Sequence, residues 1–72
     1  MIIIDISSPD GNTLAALGIA RRLLKAAGRG DAVEKLTADV MGAQSYRDAL
    51  ECIERATEGA LTFVGWGQDE RA

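Results

Sequence analysis

The chain of 72 residues has no histidine, a single cysteine, a single proline and only three aromatic residues. Each scarcity closes a class of function. Without histidine there is no Ser-His or Cys-His nucleophile pair, and the side chain most often used as a general base is missing. Ser7, Ser8 and Asp10 lie close in sequence, but turn and cap formation accounts for all three, so no catalytic residue is assigned and the chain reads as a non-enzyme. Cys52 alone can form no internal disulfide and no thiolate cluster for zinc. No metal site or cofactor is therefore expected. Asp5 and Asp10 with oxygens of Ser7 or Asn12 could offer ligands to Mg²⁺ or Ca²⁺, but two carboxylates without a recognised loop spacing do not make a cation site. No apolar run approaches the roughly 20 residues of a membrane span. The N-terminus has neither a basic segment nor a small-residue cleavage site. A cytoplasmic protein is expected. The net charge of −3 and the lack of aromatics interleaved with cations argue against nucleic acid as a partner.

What is present organises itself around Asp5-Ile6-Ser7-Ser8-Pro9-Asp10-Gly11-Asn12-Thr13. Ahead of it, Ile2 to Ile6 is a β-branched run that reads as a strand, with Ile2, Ile4 and Ile6 on one face and Ile3 and Asp5 on the other. Pro9 suits the first corner of a turn, Gly11 can supply a positive φ, and Asn12 or Thr13 can cap a helix. That helix runs from about Thr13 to Ala27. Ala16, Leu17, Ile19, Ala20, Leu23, Leu24 and Ala27 form its apolar face, and Gly18, Arg21, Arg22 and Lys25 the opposite side. Gly28-Arg29-Gly30 stops it.

A second helix, capped by Asp31, extends to about Met41 and buries Val33, Leu36, Val40 and Thr37. Ser45 caps a third. Ser45-Tyr46-Arg47-Asp48 matches a capping box, with Asp in place of Glu. Tyr46, Ala49, Leu50, Ile53, Ala56 and Thr57 face inward there, and Arg47, Asp48, Glu51, Glu54, Arg55 and Glu58 face water, before Gly59 ends it. Ala60 to Val64 is a second strand. The expected unit is one α+β domain over 1–67, strand-helix-helix-helix-strand, with a loose polar tail over 68–72.

A chain this short buries only about 60% of its unfolded surface, and a two-stranded sheet is marginal by itself. Self-association into a homodimer or larger oligomer, through sheet edges or apolar faces, follows as the expected completion.

Two surfaces are candidate binding sites. The Ser7, Ser8, Gly11, Asn12 and Thr13 turn opens a helix, where free N–H groups suit a phosphate-bearing small molecule. Arg21, Arg22 and Lys25, with Trp66 and the acids of the third helix, offer contacts to a protein partner. The string Asp-Ile-Ser-Ser-Pro-Asp-Gly-Asn, from Asp5 to Asn12, resembles a D-I-S-x-P-D-G-N-like turn after the first strand of short tailed-bacteriophage and prophage proteins. Ser8 stands where that pattern has glycine, and arginines interrupt the acidic second half. The resemblance implies an accessory protein that binds and inhibits a host protein, a defence factor among the options. Sequestration of a nucleotide-like anion at the turn and a purely structural role are the alternatives.

Overall fold

The computed structural model describes residues 1–66. The expected domain end at residue 67 and the tail over 68–72 lie outside them. β1 (Ile2–Asp5) is followed by a short 3-10 turn (Pro9–Gly11), α1 (Thr13–Ala26), α2 (Ala32–Met41), α3 (Tyr46–Ala56) and β2 (Leu61–Val64). This is the α+β order expected from periodicity. Three helices between two strands bring β2 alongside β1 in parallel, with Ile2 opposite Leu61 and Ile4 opposite Phe63. β1 stops one residue short of the expected Ile6. The Asp5 carbonyl instead accepts from the Ser8 N–H, at 2.9 Å, and from the Ser8 hydroxyl. The Ile6 N–H still donates to Val64.

The helices cover one face of the sheet. Ile4, Leu61 and Phe63 point into the core, where they meet Ala16, Leu17, Ala20 and Leu24 of α1 and Ala49, Leu50 and Ile53 of α3. Val33, Leu36 and Val40 of α2 complete it. Ala16 and Ala20 are fully buried, and their small size lets α1 approach closely. The other sheet face is open: Ile3 is 62% and Val64 40% exposed.

Most helix ends follow the sequence, with three corrections. Asn12 caps α1 through its side-chain oxygen, which accepts from Leu14 and Ala15. Gly28, at φ +76°, ends it in a Schellman turn, with Arg29 N–H to Leu24 and Gly28 N–H to Lys25. Asp31 stands at the start of α2 but its side chain caps nothing. Its backbone is already helical, because Ala32 and Val33 donate to the carbonyls of Arg29 and Gly30. Ser45 caps α3 by accepting from Asp48 N–H, but Asp48 returns its bond to Gln44 rather than to Ser45. The third correction concerns the end of α3. A second Schellman turn closes it, and two left-handed residues follow in succession, Glu58 at φ 55° and then the expected Gly59 at φ +85°. A non-glycine residue in that region carries strain. Its ion pair with Arg29, at 3.7 Å, is exposed and offsets little. Glu58→Gly is therefore expected to raise stability by about 0.5–1 kcal/mol, read as an increased midpoint in urea unfolding.

Candidate functional site

The turn after β1 is a closed network. One carboxylate oxygen of Asp5 accepts from the Ser7 N–H at 2.8 Å and from the Ser7 hydroxyl at 2.7 Å. Gly11 N–H donates to Ser8 at 2.9 Å and Asn12 N–H to Pro9 at 3.2 Å. The first N–H groups of α1 donate to the Asn12 side chain. The donors expected to hold an anion at Ser7, Ser8, Gly11 and Asn12 are thus engaged within the turn, and Thr13 is the first helical residue. An anion is already present there in Asp5 itself. The Asp10 side chain is not among those described. Among the described residues, no three acids or cysteines gather as metal ligands.

Those two bonds from Ser7, the backbone one first, hold the Asp5 carboxyl below its ordinary value of 3.8. The sign follows from linkage. A carboxyl with a depressed folded value stabilises the fold above its unfolded value. That contribution is lost as pH falls below 3.8 through the lower folded value. Asp5→Asn is expected to lower the thermal midpoint at neutral pH. The gap from the natural protein should close as both are acidified.

Gly11 has a role other than the expected one. Its φ is not among the positive ones. What it supplies is space: a Cβ there would lie 2.4 Å from the Ile6 carbonyl oxygen. The Tyr46 hydroxyl donates to the Gly11 carbonyl, which ties the first turn of α3 to the turn after β1. The Tyr46 ring packs at 5.9 Å from Trp66, tilted by 53°. The Arg47 guanidinium lies 4.9 Å from the centre of the Trp66 ring, in cation–π geometry. Partial burial pushes the Tyr46 phenol above its ordinary value. Gly65, at φ +98°, turns the chain after β2. The C-terminal ends of both strands, the Pro9–Gly11 turn and the start of α3 converge on these side chains.

The structure therefore joins two of the features singled out from sequence, the turn and Trp66. Tyr46 links them, and Arg47 covers the ring. Neither Tyr46 nor Arg47 stood out in the sequence as a site residue. The available signal was Ser45, whose cap makes them the first two residues of α3.

Other expected groupings do not form. Arg21, Arg22 and Lys25 are exposed on α1. Arg21 borders a shallow groove against Val33, Glu34, Thr37 and Ala38 of α2, whereas the described neighbours of Trp66 belong to α3. The acidic face of α3 is partly engaged in structure. Asp48 serves the cap and Glu51 pairs with Arg47. Glu54, expected to face water, is half-buried and accepts from the Phe63 N–H at 2.8 Å. A groove of about 230 Å³ between α2 and α3 has cations along it, each with a partner. Arg29 donates to the Ala56 carbonyl, Lys35 pairs with Asp39, and Arg55 donates to the sulfur of half-buried Cys52.

No family model, curated protein or solved structure matches this chain. Among the described residues, no helix is long and apolar enough to cross a membrane.

Proposed function

We propose that this chain is a non-enzymatic protein-binding module, and that its binding surface is the end of the sheet where Trp66, Arg47 and Tyr46 meet. The observation that carries this reading is the Arg47 guanidinium over the half-buried Trp66 ring, 4.9 Å from its centre, at the end of the sheet where Val64 is exposed. Tryptophan and arginine dominate binding energy at protein interfaces, and an anchored ring loses little freedom on association. The engagement of the Ser7, Ser8, Gly11 and Asn12 N–H groups within the turn favours this over anion sequestration. In keeping with the phage-type resemblance of Asp5 to Asn12, the partner is a host protein in the cytoplasm, and binding inhibits it.

The test is affinity capture from host extract with three proteins: the natural chain, Arg47→Glu, and Arg21→Glu with Arg22→Glu. A partner held by the natural chain should also be held by the double variant. It should be lost with Arg47→Glu, whose helical content is checked by circular dichroism. Retention by Arg47→Glu together with loss by the α1 variant would move the site to the basic stripe and overturn the proposal.

A further inference from the structure

The two edges of the sheet are not equivalent. Along β1, Ile2 N–H donates to Ala60 and Ile6 N–H to Val64. In a parallel ladder the backbone groups of one strand alternate in direction. The N–H groups of Ile3 and Asp5 therefore point away from β2, along the outer edge of β1. The corresponding N–H groups on the outer edge of β2 are those of Leu61 and Phe63, and α3 supplies acceptors for both. Thr57 Oγ1 accepts from Leu61 at 3.4 Å, and Glu54 Oε2 accepts from Phe63 at 2.8 Å. A carboxylate over that edge also repels an incoming strand. One edge is closed by side chains. On the other, Ile2 and Ile3 are 39% and 62% exposed. An open apolar edge is a template for a further strand.

We infer that this edge is occupied by a second copy of the chain, β1 pairing antiparallel with β1 of the partner about a two-fold axis to give a four-stranded sheet. Self-complementarity selects the occupant and the register. With the axis at Ile3, each Ile3 N–H meets the Ile3 carbonyl of the other copy, and the two side chains meet on the open face. Ile2 lies opposite Ile4 of the other copy on the helix-covered face, so apolar groups pair on both faces. The two Asp5 residues are then four positions apart along the strand, about 13 Å. With the axis at Ile4 instead, the Asp5 carboxylates become diagonal neighbours at about 7–8 Å. The axis at Ile3 is thus preferred. Strands this short bury well under the roughly 1,200 Å² of a stable interface, so the dimer forms and dissociates with concentration. This pairing does not depend on the partner-binding role proposed for Trp66 and Arg47, and it leaves that end of the sheet uncovered.

Sedimentation velocity from micromolar to millimolar protein tests it. The natural chain is expected to shift from monomer toward dimer. Ile3→Pro removes an edge N–H that makes no bond within the protomer, so it should stay monomeric with unchanged circular dichroism. Val64→Lys alters the same open face away from the edge and should still dimerise. If Ile3→Pro fails to fold, Ile3→Lys takes its place with the same expectation. In a sample mixing labelled and unlabelled chains, an intermolecular Ile2 Hα–Ile4 Hα contact is expected from the register. A monomer at every concentration, or a dimer indifferent to both Ile3 variants, would overturn the inference.

Discussion

Gly11→Ala is expected to lower the thermal midpoint by at least about 10 °C. The added Cβ would sit 2.4 Å from the Ile6 carbonyl oxygen and 2.7 Å from the Ile6 Cα. Both are backbone atoms, so no side-chain rotation relieves the overlap. Movement of the turn is also constrained. Gly11 N–H is bonded to Ser8, its carbonyl holds Tyr46, and Asn12 beside it caps α1. Overpacking in a tight site costs about 1–3 kcal/mol, and more where the backbone itself must shift. Here we expect about 3 kcal/mol. A domain of this size has roughly 4–11 kcal/mol in total, and each kcal/mol moves its midpoint by about 4–8 °C. Thermal unfolding by circular dichroism checks this. A Gly11→Ala protein melting within a degree or two of the natural one would mean that the turn is not packed against Ile6.

Leu50→Ala is expected to cost about 3–4 kcal/mol. Leu50 is fully buried in the middle of α3, the helix that packs against both other helices and β2. Truncation removes the transfer energy of the lost carbons and leaves a cavity that four elements, held apart by their own contacts, cannot collapse. Leu14→Ala makes the informative contrast. Leu14 is in the first turn of α1 and 67% exposed, so its truncation should stay within about 0.5 kcal/mol. Urea unfolding of the two variants reads both values, with unchanged slopes. Equal losses at the two sites would place the core elsewhere.

The elements were legible because their signals are local. A β-branched run ended by serines, alanine and leucine at helical spacing, and side-chain caps at Asn12 and Ser45 each act within a few residues. The parallel pairing also followed from the order of elements. What escaped depends on contacts far apart in the chain. Glu54 occupies the solvent position of an amphipathic helix in any sequence reading. Only the return of β2 beside α3 gives it the Phe63 N–H to bind. Gly11 looked like a residue chosen for its backbone freedom, and its reason is instead the approach of Ile6. Gly59 does take a positive φ, but the Schellman turn after Ala56 also puts Glu58 in the left-handed region one residue ahead of it. The candidate site was half legible. Trp66 and the turn stood out by composition, but the Tyr46 bond that unites them spans 35 positions.

α3 closes one edge of the two-stranded sheet and leaves the other open. Amide hydrogen exchange on dilute protein tests it directly. The ladder amides of Thr62 and Val64 serve as an internal reference for opening of the sheet itself. Phe63 should exchange nearly as slowly as they do, while Ile3 exchanges far faster. Phe63 exchanging as fast as Ile3 would show that Glu54 does not close the β2 edge, and the asymmetry would be lost.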